Sequence, residues 1–258
     1  MRRLVVVSNR VAGADGASGG LAVALTAALQ GQNALWFGWS GRRAERTGGE
    51  IKSHRLGDIE RVTIDLEDAD VAAYYDGCAN AGLWPLFHSR LDLVAYDRSW
   101  SEGYLRVNRR FAFSLAQLLR PDDRVWVHDY HLIPLGRELR RLGFTGSIGF
   151  FLHTPWPDPQ LLATLPDHKA LVAAMFDYDL VGMQTDECVA AFQACVLREP
   201  NTWREESLLS AFGRRVRVEA FPIGLDTPDF LRLAASPEAA RCGERLAAYR
   251  GMRTLIIG

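Results

Sequence analysis

Two rhythms of apolar residues alternate along this chain. Short β-branched or aromatic runs are followed by segments whose apolar positions recur with helical period, the mark of a parallel sheet wound by crossover helices. Residues 4–8, 35–39 and 61–66 read as strands, with a helix over 19–29 between the first two. Residues 42–60 are charged and glycine-rich, which predicts an exposed hairpin or loop. A helix is expected over 68–75, and Pro85 predicts irregular structure in the aromatic segment 83–88. The stretch 103–119 reads as a helix stopped by Pro121. Three strand and helix pairs follow: 124–128 with 135–142, 147–152 with 168–175, and 180–183 with 185–196. Right-handed crossovers then align the carboxyl ends of these strands on one side. A segment at 215–219, the turn FPIGLD (221–226) and a helix near 237–249 come next, and 253–258 reads as a fresh buried strand.

The expected fold class is therefore α/β, a Rossmann-like parallel sheet with helices on both faces. The last strand stands where a loop and helix should follow and cover it, which predicts a partial protein. The alternative is a terminal strand that completes the sheet.

Composition changes this picture little, but it narrows the function. Of 258 residues, 48% are hydrophobic and 24% charged, the balance of a soluble globular protein. Lys+Arg number 30 against Asp+Glu 31, a net charge of −1, which argues against nucleic-acid and membrane-surface roles because both need a basic field. No apolar run approaches the ~18 residues of a membrane span. The basic start MRR precedes an apolar run far shorter than the ~7–15 of a signal peptide, so a cytoplasmic protein is expected. Cys78, Cys188, Cys195 and Cys242 form no CxxC pair, and reduced thiols buried on helices are expected.

In open α/β sheets the ligand lies beyond the strand carboxyl ends, so the residues just after each strand carry the candidate chemistry. Asn9 and Arg10 follow the first strand, and Ser18, Gly19 and Gly20 open the first helix. Paired glycines let backbone N–H groups approach an anion at a helix N-terminus, although they serve equally as an ordinary turn. Arg10 at a strand exit could grip a phosphate bidentately, the alternative being a surface ion pair. His128, Asp129, Tyr130 and His131 follow the fourth strand, and His153, Thr154, Pro155, Trp156 and Pro157 the fifth. His128 and His131 lack a third ligand with useful spacing, which argues against a metal. No GxxxxGK[ST] loop or GxGxxG run opening the first helix is present. Trp39, Tyr75 and Trp84 fall near element ends, where flat rings suit the apolar face of a pyranose; core packing is the competing role for each. Asp129 could accept two sugar hydroxyls, and Arg10 could hold an attached phosphate. Together these residues suggest a sugar-phosphate pocket beside a glycine-rich diphosphate site.

Eight segments then match a known pattern in order: LVVVSNR (4–10), GGLAVAL (19–25), LWFGWSG (35–41), LWPLFH (83–88), GYLRVN (103–108), HDYHL (128–132), GFFLHTPWP (149–157) and FPIGLD (221–226). The chain resembles the N-terminal half of the trehalose-6-phosphate synthase family, glycosyltransferase family 20. The resemblance implies the N-terminal domain of a GT-B glycosyltransferase, with an acceptor-binding domain over 1–250 and, at 251–258, the first strand of a missing donor-binding domain. It implies transfer of glucose from UDP-glucose to glucose 6-phosphate with retention, in trehalose biosynthesis, with no cofactor and no metal. Its partners would be those two sugars, not nucleic acid or membrane, and a homo-oligomer is compatible with the intact enzyme.

By motif, Arg10 resembles the arginine on the acceptor phosphate. Trp39, Tyr75, Trp84 and Asp129 resemble acceptor-side residues, while Gly19, Gly20 and His153 resemble donor-side ones. His153 and Asp129 are the candidate catalytic pair. Thr154 stands where many relatives have isoleucine, Trp156 where phenylalanine is frequent, and Ser89 where tyrosine is common. Of these, Thr154, with Trp84, bears on anomer selectivity. The family's basic donor-phosphate clamp would follow a strand like 254–258, so the isolated chain is expected to be inactive or nearly so. A related synthase with another acceptor, such as a glucosylglycerol-phosphate synthase, and a non-catalytic one-domain sugar-phosphate binder are the alternatives.

Overall fold

The computed structural model describes residues 2–11, 20–45, 51–224 and 226–255. Its strands are β1 (Leu4–Arg10), β2 (Ala34–Ala44), β3 (Lys52–Leu56), β4 (Ile59–Glu67), β5 (Arg124–His128), β6 (Ile148–Phe151), β7 (Leu180–Met183), β8 (Trp203–Glu205), β9 (Leu208–Ala211) and β10 (Arg214–Ala220). They form one sheet in the order β3-β4-β2-β1-β5-β6-β7-β10-β9-β8. Its centre, from β4 to β10, is parallel, while β3 pairs antiparallel with β4, and β9 pairs antiparallel with both β10 and β8.

The apolar run in β1 explains why that strand is central. Val5, Val6 and Val7 are all fully buried, which needs cover on both faces. Side chains alternate across the pleat, so Val5 and Val7 join Leu35, Phe37, Val62, Ile64, Val125 and Val127 in the larger core. Val6 joins Ala34, Trp36 and Ile59 on the opposite face, beneath Leu25 and Leu29 of the helix Gly20–Leu29. Each such burial contributes roughly 1.5–3 kcal/mol. Helix Arg98–Ala116 lays Tyr104, Val107, Phe111 and Leu115 on the larger core, and its start is capped by Asp97, which accepts from the backbone N–H of Ser99 at 2.7 Å.

The structure also departs from the expected elements. Between β4 and that helix the chain is helical over 68–87, not only 68–75, and its middle, Val71–Leu83, is wound with i→i+5 bonds, as from the N–H of Trp84 to the carbonyl of Ala79. The segment 83–88 is accordingly not irregular: Trp84–Phe87 continues the helix, and the Ala81 carbonyl, which Pro85 has no N–H to reach, accepts instead from the N–H of Ala95 at 2.9 Å. The helix ahead of Pro121 ends at Ala116. The antiparallel β8 and β9 were not anticipated, whereas the charged segment 42–60 does carry the expected exposed hairpin, β3 pairing antiparallel with β4, along with the end of β2.

The chain divides into two compact units, Met1–Phe221 and Pro222–Gly258. The second holds helices Thr227–Ala234 and Pro237–Arg250, N-capped by Asp226 and Ser236, and no residue of either helix is buried. Of the strand expected over 253–258, residues 253–255 are turn and coil, and 256–258 lie outside the described residues. All four cysteines are free and lie on helices, yet only Cys195 is buried; Cys78 and Cys188 are half-buried and Cys242 is exposed. Cys242 departs from expectation because its helix has no buried face.

One ion pair, its Asp123 buried and its Arg3 half-buried, ties the start of β1 to the approach to β5. Arg3 donates from Nε and Nη2 to Asp123 at 3.0 and 2.7 Å, and the N–H of Arg120 adds a third bond at 2.7 Å. Burial pushes the Asp123 carboxyl up, but the bonds from Arg3 and Arg120 outweigh it and hold the group below the usual carboxylate range. Stability from this pair is therefore present above the unfolded-state pKa near 4 and is lost as pH falls through the lower folded-state value. Asp123→Ala leaves Arg3 without its partner and should lower the unfolding free energy by about 3 kcal/mol in urea titrations at pH 7. An unchanged midpoint would remove this pair from the fold's supports.

Candidate functional site at the strand carboxyl ends

Parallel register sets the first-order geometry of the site. Arg10 at the end of β1 lies opposite Trp39 of β2, Val7 lies opposite Val127 of β5, and His128 lies opposite Phe151 of β6. The chain leaves each strand on the same side, so Asn9 and Arg10, Trp39, His128 and Asp129, and His153 emerge along one edge.

A line of rings connects them. The exposed Arg10 guanidinium lies 5.4 Å over the Trp39 ring, and Gly41, at φ +82°, has no Cβ to collide with it. Trp39 is buried, donates from Nε1 to the Arg42 carbonyl at 2.7 Å, and meets Tyr75 edge-on at 5.6 Å. Tyr75 stacks on His131 at 5.8 Å and 16°, and His131 lies 4.1 Å from the Tyr130 ring. Trp39 is thus a core residue and a site residue at once.

The i→i+5 winding explains how the helix reaches this edge. Tyr75 stacks on His131, and Asn80, five residues on, accepts from the Tyr130 hydroxyl at 3.0 Å. Residues five apart lie over one short loop only because the turn is widened, a local irregularity often found at functional sites. Tyr74, buried beside Tyr75, donates to Asn9 Oδ1 at 2.9 Å and so ties the helix to the exit of β1. Tyr104 donates to the Tyr130 carbonyl at 2.5 Å, and Asn108 donates to the carbonyls of Tyr104 and His131 at 3.0 and 3.1 Å.

Asp129 occupies the most constrained position. Its φ of 76° and ψ of 166° fall where residues other than glycine rarely go, a strain of about 1–3 kcal/mol that the surroundings must hold in place. They do so through the Asp129 N–H bonded to Phe151 O at 2.8 Å, and through Oδ1, which accepts from the His153 N–H at 3.2 Å. Burial raises the carboxyl to a pKa of about 6, against the lowering effect of the Tyr130 and His153 N–H groups and the His88 charge. Near neutral pH Asp129 is a carboxylate that can readily take up a proton.

Three imidazoles line the loops beside it. His128 Nδ1 and His153 Nε2 are 3.0 Å apart, their rings stacked at 5.3 Å, so the partner of His128 is His153, not His131. Burial lowers the pKa of His128 to about 3, helped by His153, that of His131 to about 3 and that of His153 to about 4. All three are neutral at pH 7. Among the described residues no group of three or more His, Cys, Asp or Glu side chains is placed to hold a metal ion.

The remaining predicted residues are less tightly joined. Trp84 is 42% exposed and packs on His88 at 4.3 Å. Thr154 is buried next to His153, its hydroxyl without a hydrogen-bond partner among the described residues. Gly20 is the first residue of helix Gly20–Leu29, and Gly19 lies outside the described residues. Trp156 is a core residue packed on Phe87 and Phe192. Sequence reasoning missed Tyr74 and Asn80, and it weighed His131 only as a metal ligand. The adjacent pair Tyr74–Tyr75 on one helix was the available signal.

A wound α/β sheet with charged and aromatic side chains gathered at its strand carboxyl ends is the build of a sugar- or nucleotide-binding domain of a group-transfer enzyme. The family model for glycosyltransferase family 20 matches residues 3–258, and the chain belongs to that family. It is 43% identical over 265 residues to a trehalose-6-phosphate synthase of Sinorhizobium fredii, covering 100% of this chain and 57% of the relative. A trehalose-6-phosphate synthase of Escherichia coli K12 is 40% identical over 262 residues, covering 99% of this chain and 54% of the relative. A crystal structure of a UDP-forming alpha,alpha-trehalose-phosphate synthase from Burkholderia xenovorans in complex with glucose-6-phosphate superposes with a TM-score of 0.89 at 43% identity, covering 95% of this chain and 55% of that one. An E. coli structure bound with UDP-2-fluoro glucose gives a TM-score of 0.86 at 41% identity, covering 95% of this chain and 54% of that one. The chain spans about half the length of the curated relatives it matches. Among the described residues no helix is long and apolar enough to cross a membrane.

The raised Asp129 pKa carries a stability consequence. A carboxyl raised from about 4 to about 6 favours the fold most below pH 4, and that contribution is lost as pH rises through 6. Asp129→Asn keeps an oxygen for the His153 N–H but carries no charge. It should therefore be more stable than the parent by roughly 1–2 kcal/mol at pH 8, with the difference vanishing near pH 4 in urea unfolding. A variant that is less stable at pH 8 would show that the carboxylate supports the fold.

Proposed function

We propose that this chain is the acceptor-binding part of a retaining glucosyltransferase that moves glucose from UDP-glucose to glucose 6-phosphate, giving trehalose 6-phosphate. The observation that carries this is one unbroken run of contacts, Arg10 to Trp39 to Tyr75 to His131, beside the strained Asp129. Arg10 supplies a permanent charge for a phosphate. Tyr75 and Trp39 supply ring surface for a hexose, and Asp129 accepts sugar hydroxyls. His153, held to Asp129 through its backbone N–H, takes the donor-side role, which the motif gives to Gly19 and Gly20 as well. Trp84 and Thr154 would select the acceptor's anomeric form.

The relatives' names and the glucose-6-phosphate complex from B. xenovorans support the acceptor, and the UDP-2-fluoro glucose complex supports the donor class. UDP-glucose carries its own activated sugar, so the reading calls for no resident cofactor. The chain's task is to place two sugars and meet the charge that develops on the departing diphosphate, with the acceptor hydroxyl attacking from the same face and passing its proton to a phosphate oxygen. Both substrates are phosphate anions that do not cross a bilayer unaided, which fits a cytoplasmic setting.

Calorimetric titration of glucose 6-phosphate into the chain should show binding that Arg10→Ala weakens roughly 10- to 150-fold, the loss of a charge-assisted contact of about 1.5–3 kcal/mol. Glucose without phosphate should be insensitive to the substitution. Equal binding of glucose 6-phosphate by both proteins would remove Arg10 from the site. Tighter binding of glycerol 3-phosphate than of glucose 6-phosphate would overturn the acceptor.

A further inference from the structure

Neutral imidazoles carry one proton each, so a hydrogen bond between two of them fixes where both protons sit. His128 Nδ1 faces His153 Nε2 at 3.0 Å, and only two arrangements satisfy that contact. In the first, His128 donates from Nδ1, its Nε2 is bare, and His153 must carry its own proton on Nδ1. In the second, His153 donates from Nε2, and His128 must carry its proton on its own Nε2. Nε2 of His128 is buried with no hydrogen-bond partner among the described residues. The second arrangement therefore buries an N–H donor with nothing to accept it. The first buries only a bare ring nitrogen, and orphaned N–H groups are the rarer kind in folded proteins.

The surroundings hold the pair in register. His128 is packed between Trp126 at 4.2 Å and Phe151 at 6.4 Å, and Phe151 also meets the His153 ring at 4.7 Å. The backbone N–H of His153 is fixed independently by Asp129 Oδ1 at 3.2 Å. Main chain and ring of His153 are thus both tethered, and the His128 contact decides which nitrogen bears its proton.

We propose that His128 is a positioning residue that sets the tautomer of His153: its Nδ1–H holds His153 Nε2, so His153 offers an N–H donor at Nδ1 and not a lone pair. The use of that donor rests on the donor-side role given to His153 above; the tautomer itself does not. A donor at this nitrogen selects oxygen acceptors, the hydroxyl or phosphate oxygens of a nucleotide sugar, and disfavours groups that could only donate.

Long-range proton–nitrogen correlation spectra of the histidine-labelled chain at pH 7 test this directly. The expected result is His153 protonated on Nδ1 and bare on Nε2. His128→Asn, whose side-chain amide can still donate to Nε2, should keep that pattern. His128→Leu should lose it, with His153 moving to the Nε2–H form that imidazoles prefer in water. Protonation of His153 on Nε2 in the parent chain would overturn the proposal, as would a Leu variant with the parent's tautomer. The parent spectrum alone decides should the Leu variant fail to fold. Titrating UDP-glucose into the same sample separates the two claims: the expected tautomer with His153 signals that do not move would contradict the donor-side role and leave the positioning role standing.

Discussion

Parallel pairing of β1 with β2 on one side and β5 on the other is the constraint from which the rest follows. Three consecutive valines buried on both faces fix β1 at the centre of the sheet, and its neighbours must then end at the same edge. Arg10, Trp39 and the His128–Asp129 loop are far apart in sequence, but they are adjacent because their strands share a register. A strand shifted by one residue would turn Val5 and Val7 to the wrong core, so the same burial that stabilises the sheet also aims the site.

Beyond that register the site depends on polar groups behind it, buried except for the half-buried Asn80. Tyr74, Asn80, Tyr104 and Asn108 contact no candidate ligand position themselves; they bond to Asn9, to Tyr130 and to the backbone of the loop that carries Asp129 and His131. Such bonds hold a strained Asp129 and a stack of rings in one arrangement before any substrate arrives. A preorganised site of this kind avoids spending binding energy on its own ordering. The low histidine pKa values belong to the same economy, since neutral rings can be packed where charged ones could not.

Much of this was legible in the residues. Central strands betray themselves as short apolar runs, and the polar residues after them are few, so Arg10, Asp129 and His153 could be named from position alone. What escaped was whatever depends on winding or contact. Nothing in VAAYYDGCANAGL announces i→i+5 bonds, yet that winding brings both Tyr75 and Asn80 over Tyr130 and His131. Pro85 suggests a break, and only the structure shows the helix running through it. Strand β8 at the sheet edge and β9 beside it have three and four residues, too few for a period to show. The partner of His128 could not be read at all, because a residue on one strand and a residue beyond the next meet only through sheet register.

The claim on which the account stands is that this edge receives a phosphorylated hexose. Crystals of the chain grown with glucose 6-phosphate test it most directly. The account predicts density for the phosphate at the Arg10 guanidinium and for the sugar ring between Tyr75 and Asp129. A hexose phosphate bound elsewhere on the molecule, with Arg10 still resting on Trp39 alone, would contradict it.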